Sequence, residues 1–86
     1  MHEKLREFVA LAREADRISK SDASWETKYE IVFSEEISLR MEDLGFNWDD
    51  PDTSYELDVL AFCHAAMEKA DDIERAIGVH PDASRV

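Results

Sequence analysis

Two unbroken stretches, 1–44 and 52–77, hold neither glycine nor proline; Gly45, Pro51, Gly78 and Pro81 are the full complement of both in 86 residues. So little punctuation excludes turn-rich β architectures, which need a breaker every few residues, and leaves long helices as the natural reading. A composition of 44% hydrophobic and 36% charged residues supports a packed helical domain over a disordered chain. The length suits one core and no second one.

The apolar spacing divides the chain into three expected helices. Over 3–19, Leu5, Phe8, Ala12, Ala15 and Ser19 recur on one face, Val9, Leu11 and Ile18 widen it, and Arg6, Arg13, Arg17 and Lys20 occupy the reverse. The polar segment Ser21-Asp22-Ala23-Ser24 then offers N-caps for a helix over 24–44 that ends at Gly45. Trp25, Val32 and Leu39 form one stripe of that helix; Phe33, Ile37 and Leu44 form an adjoining one, with Tyr29 between them. Two stripes touch two neighbours, which gives this helix a central place. Glu36 and Arg40 fall inside the broad face one turn apart and are expected to pair, while Ile31 projects to the polar side.

After the elbow at 46–52, Thr53 and Glu56 have the spacing of a capping box that opens a third helix over 54–77. Tyr55, Val59, Phe62, Ala66, Ala70, Ile73 and Ile77 make its inner stripe, flanked by Leu60, Cys63 and Met67, while Leu57 and His64 project elsewhere. The expected fold is therefore all-α, an antiparallel three-helix bundle with room for a short extra turn over 46–52. Residues 1–79 form a single domain and 80–86 a flexible tail.

Charge is distributed unevenly over this scaffold. Residues 22–58 contain twelve carboxylates against two cations, Lys28 and Arg40, a local charge of -10 against -11 for the whole chain. Residues 1–20 are by contrast close to neutral, with five cations and four acids. Solubility asks for a net charge of about 2 to 8 in magnitude for a small domain, and crowding beyond that strains the fold by self-repulsion. The excess points to a use for the field. A strongly negative chain is repelled by phosphate backbones and anionic lipids, so basic protein surfaces are the expected partners.

Catalytic chemistry finds little support in the residues. A calcium loop begun at Asp50 has oxygen ligands at its first, third and fifth positions, yet Tyr55 replaces the required glycine and Ala61 the closing glutamate. Glu68-x-x-Asp71 is half of the signature of MazG-like, magnesium-dependent nucleotide pyrophosphatases, and the upstream Glu-x-x-Glu half is missing. Zinc and di-iron sites lack ligands: one cysteine, three scattered histidines and no Glu-x-x-His. Cys63 and His64 are helix neighbours about 100° apart and form no dyad. No cofactor and no metal are expected. One cysteine rules out an internal disulfide, and no signal-like or membrane-spanning run occurs, so the expected location is the cytoplasm.

Two stretches, Ser24-Trp25-Glu26-Thr27-Lys28-Tyr29-Glu30-Ile31-Val32-Phe33-Ser34 and Trp48-Asp49-Asp50-Pro51-Asp52-Thr53-Ser54-Tyr55-Glu56, resemble small acidic proteins carried by phages and other mobile elements. In size, acidity and helical pattern the chain is similar to phage inhibitors of host defence, anti-CRISPR proteins among them, and to immunity proteins that mask basic nucleases. The resemblance implies a non-enzymatic inhibitor that blocks a nucleic-acid-binding surface of a larger basic protein, without contacting nucleic acid or membrane itself. It implies no site residues. From charge and aromatic content, the expected partner-binding set is Glu26, Glu30, Glu35, Glu42, Asp43, Trp48, Asp49, Asp50, Asp52 and Glu56. An immunity protein or antitoxin directed at a basic nuclease is the alternative, followed by a small magnesium-dependent nucleotide hydrolase. Monomer and homodimer both suit the pattern.

Overall fold

The computed structural model of the chain describes residues 2–49 and 52–77. These are all-helical apart from turns and loops, in four helices: α1 (Glu3–Ser19), α2 (Trp25–Val32), α3 (Ser38–Asp43) and α4 (Tyr55–Ile77). The ends expected at 78–79 and the tail at 80–86 lie outside the described residues. α4 packs on both α1 and α2, which also touch each other.

The α1–α4 seam follows the spacing of its apolar residues. Phe8, Ala12, Ala15 and Ser19 of α1 are buried with Val59, Phe62, Ala66, Ala70 and Ile73 of α4. Four alanines on this seam are fully covered, which lets the two backbones approach closely. The free thiol of Cys63 is buried in the same seam and hydrogen-bonds the Ala15 carbonyl at 3.4 Å. Three residues expected inside are instead half-exposed: Leu5 at the start of α1, Leu39 on α3 and Tyr55 in the first turn of α4.

The helix expected over 24–44 is two helices. It opens on Ser24, whose hydroxyl accepts the Thr27 amide at 3.2 Å, but stops at Phe33, whose φ of -93° and ψ of 55° leave the helical region. The reason lies in the register of the second half. A continuous helix would carry Glu36 one turn beyond Val32, straight into the core. Breaking at 33–37 places Glu36 in solvent and rotates Ile37 inward, where it is 5% exposed beside fully buried Val32 and Met41. Hydroxyls steady the break: Ser34 donates to the Ile31 carbonyl at 2.7 Å and Ser38 to the Ser34 carbonyl at 3.3 Å, serving carbonyls that a continuing helix would have used.

The expected Glu36–Arg40 pair consequently does not form. Arg40 turns to α1 and grips Glu7 with both arms, Nε to Oε2 at 2.6 Å and the terminal nitrogen to Oε1 at 2.8 Å. That hydrogen bond holds the Glu7 carboxyl below its ordinary range. The pair therefore supports the fold at neutral pH, and its support fades as pH falls through the lowered pKa of Glu7.

α3 ends in a Schellman motif. Gly45 adopts φ +102°, its amide bonds the Glu42 carbonyl at 2.9 Å, and the Phe46 amide reaches back to Met41 at 3.0 Å. A side chain at Gly45 would meet nothing within 4 Å, so the glycine answers to backbone conformation alone. The turn swings Phe46 under α1 and α4, edge-on to Phe8 at 5.3 Å and to Phe62 at 5.5 Å. No extra helical turn forms over the described part of 46–52.

Candidate acidic interface and aromatic groove

The carboxylates of the middle stretch face outward. Glu26 and Glu30 are exposed on α2, Glu35 in the turn after it, Glu42 and Asp43 on α3, Asp49 and Asp52 in the elbow and Glu56 in the first turn of α4. Asp50 lies outside the described residues. Asp58, counted among the same acids from the sequence, is 3% exposed and serves the fold instead.

Nothing in the described structure neutralises these outward acids with a close ion pair, save that Asp52 has an interaction of its own. Both cations of the stretch are turned inward or across. Lys28 is 5% exposed; its ammonium donates to the Ser19 carbonyl at the C-terminal end of α1 at 2.9 Å and lies 4.0 Å from the centre of the Trp25 ring. Arg40 belongs to Glu7, with a smaller pull from Asp43 on its guanidinium. Of the basic residues in and just after α1, Arg13 pairs with Glu74, Arg17 with Glu14 and Lys20 with Asp16 at 3.0 Å, while Lys4 and Arg6 form no ion pair among the described residues. Apart from Asp52 and the attraction between Asp43 and Arg40, the outward acids from 26 to 56 make no ion pair among the described residues.

The buried lysine is a feature that the sequence reading passed over. On a helical wheel Lys28 falls on the apolar stripe between Trp25 and Val32, about 160° from Glu26 and Glu30. Its signal was the nearby Trp25 together with the free carbonyls that must end a helix at about residue 19.

Trp48 acts first as a lid. It is half-buried, 5.5 Å from the Phe33 ring and edge-on to Phe62 at 5.2 Å. Below it, Tyr29, Phe33, Trp48 and Phe62 wall an open groove of about 280 Å³, with Leu39 and Glu42 at its rim. Tyr29, 5.0 Å from the Tyr55 ring, also borders a second hollow formed with Asp52 and the start of α4. Of the outward acids, Glu42 borders the aromatic groove and Asp52 the second hollow.

The elbow is tied to α4 in a way that differs from the expected capping box. Ser54, not Thr53, is the N-cap, accepting the Leu57 amide at 3.2 Å. The reciprocal acid is Asp58 in place of Glu56. Its Oδ1 accepts the Thr53 amide at 3.0 Å and the Thr53 hydroxyl at 2.7 Å, which leaves Glu56 free to face solvent. Asp58→Ala is expected to destabilise the protein by about 1–3 kcal/mol, because it strands donors that the buried carboxylate serves. Asp58→Asn keeps an acceptor in place and should restore most of that loss; thermal unfolding of the two variants measures the difference.

No group of three or more histidine, cysteine or acidic residues suited to a metal ion occurs among the described residues. Burial pushes the Cys63 thiol up to about 11, with a smaller contribution from the Asp16 charge, so it stays protonated and unreactive at neutral pH. No helix of the described residues is long and apolar enough to cross a membrane. No known family model matches the chain, and no curated protein or solved structure matches it significantly.

Proposed function

We propose that this protein is a non-enzymatic inhibitor that covers a basic, nucleic-acid-binding surface of a larger cytoplasmic partner, in the manner of phage anti-defence proteins of the anti-CRISPR type. The scaffold is a three-armed bundle of α1, the broken α2–α3 arm and α4. One observation carries the reading: Lys28 and Arg40, the cations of the acidic stretch, are committed to Ser19 and Glu7, so the outward carboxylates keep their charge for another molecule. The band steers a basic surface into encounter, and burial of the aromatic floor then holds it. An immunity protein or antitoxin masking a basic nuclease would use the same face, and the activity of the partner tells the two apart.

The test is competition. The immobilised protein is used to capture partners from a host lysate, and each captured protein is assayed for nucleic-acid binding with and without added inhibitor. Binding of inhibitor and of nucleic acid should be mutually exclusive. Ternary complexes, or captured proteins with no affinity for nucleic acid, would overturn the proposal.

A further inference from the structure

The groove beneath Trp48 combines aromatic walls with a carboxylate. Its walls are the rings of Tyr29, Phe33, Trp48 and Phe62, and its rim carries one charged side chain, Glu42. The Glu42 carboxylate has no hydrogen-bond or ion-pair partner among the described residues, since Arg40 two positions earlier reaches across to Glu7. Leu39, one turn before Glu42 on the same rim, is 49% exposed. At about 280 Å³ the groove lies below the roughly 300–1,000 Å³ of small-molecule pockets, the scale of one long side chain.

We infer that this groove receives a single arginine side chain from the basic partner, its guanidinium plane against the rings and its fork toward Glu42. The inference rests on the reading of the partner as basic and adds which group is recognised and where. A purely apolar side chain would fill the groove and leave the Glu42 carboxylate without a counter-charge. A lysine ammonium satisfies the carboxylate but has no plane to lay on the rings. A guanidinium does both: it stacks on aromatic faces and pairs with a carboxylate through two parallel hydrogen bonds. The long methylene stem of arginine also suits the apolar rim at Leu39.

The probe is N-acetyl-arginine methylamide, titrated into ¹⁵N-labelled protein at moderate salt, with the lysine and citrulline counterparts in parallel. Citrulline keeps the shape of arginine and removes its charge. Saturable shifts confined to the Trp48 indole and the amides around Leu39 and Glu42 are expected with arginine, with affinity at least tenfold weaker for citrulline and several-fold weaker for lysine. Glu42→Gln should weaken arginine about tenfold, while Asp71→Asn, at an exposed acid of α4 outside the groove lining, should leave it within twofold. Absence of localised shifts, citrulline or lysine binding as well as arginine, or an unaffected Glu42→Gln variant would each overturn the inference. So would groove shifts that follow protein concentration alone, since they would make a second copy the occupant. No partner enters this titration, so its failure is separate from failure of the competition assay.

Discussion

Phe62→Ala is expected to lower stability by about 3–5 kcal/mol, a large share of what a domain of this size possesses. Phe62 is 2% exposed, and the rings of Phe33, Phe46 and Trp48 sit 5.0, 5.5 and 5.2 Å from its own. Those three neighbours come from the end of α2, the turn after α3 and the elbow. One ring on α4 thus joins the broken arm and the loop to the α1–α4 seam. Truncation removes the aromatic area and leaves a cavity that three separate segments must collapse to fill. With a urea slope near the low end of about 1–3 kcal/mol/M, the unfolding midpoint should drop by roughly 2 M or more. Circular dichroism and tryptophan fluorescence together read the transition, and Phe62→Leu should lie well between variant and parent. A loss under about 1 kcal/mol would show that α4 holds the arm by other means.

Reversing three of the outward acids, Glu26→Lys, Glu30→Lys and Asp49→Lys, is the complementary experiment, aimed at function and sparing the fold. All three are exposed and make no ion pair among the described residues, so no native bond is lost. The formal charge moves from -11 to -5, since each reversal adds two. Relief of self-repulsion should leave the thermal midpoint equal or slightly raised. Association with a basic partner at low salt should slow by about 10- to 1,000-fold, and the remaining rate should depend less on salt than that of the parent. Stopped-flow or surface-based kinetics at two ionic strengths reads both effects. An association rate within twofold of the parent at low salt would sink the steering mechanism, whatever the groove binds.

Both experiments start from features of very different visibility. The seam of α1 and α4 was open to inspection because Phe8, Ala12 and Ala15 on one side, and Phe62, Ala66 and Ala70 on the other, recur at the helical period. The acidic excess was equally plain from counting. Glu36 was the warning that the middle helix could not run straight, since it stood on an otherwise apolar face. Reading it as half of an i,i+4 pair with Arg40 mistook the symptom. Breaking the helix costs a few hydrogen bonds that serines replace, whereas burying Glu36 would desolvate a charge.

Sequence alone determined the helical class, the α1–α4 seam, the stop at Gly45 and the outward sign of the charge, because each depends on local periodicity, local backbone preference or simple counting. Tertiary structure decided which cations were left to meet those acids. Lys28 found the end of α1, Arg40 found Glu7 and Asp58 found Thr53. The third of these pairings spans five residues and is settled locally at the start of α4, while the first two join residues on different helices and depend on how the chain folds back on itself. The aromatic groove has the same origin, since Tyr29, Phe33, Trp48 and Phe62 become neighbours only when the broken arm and the elbow close over α4.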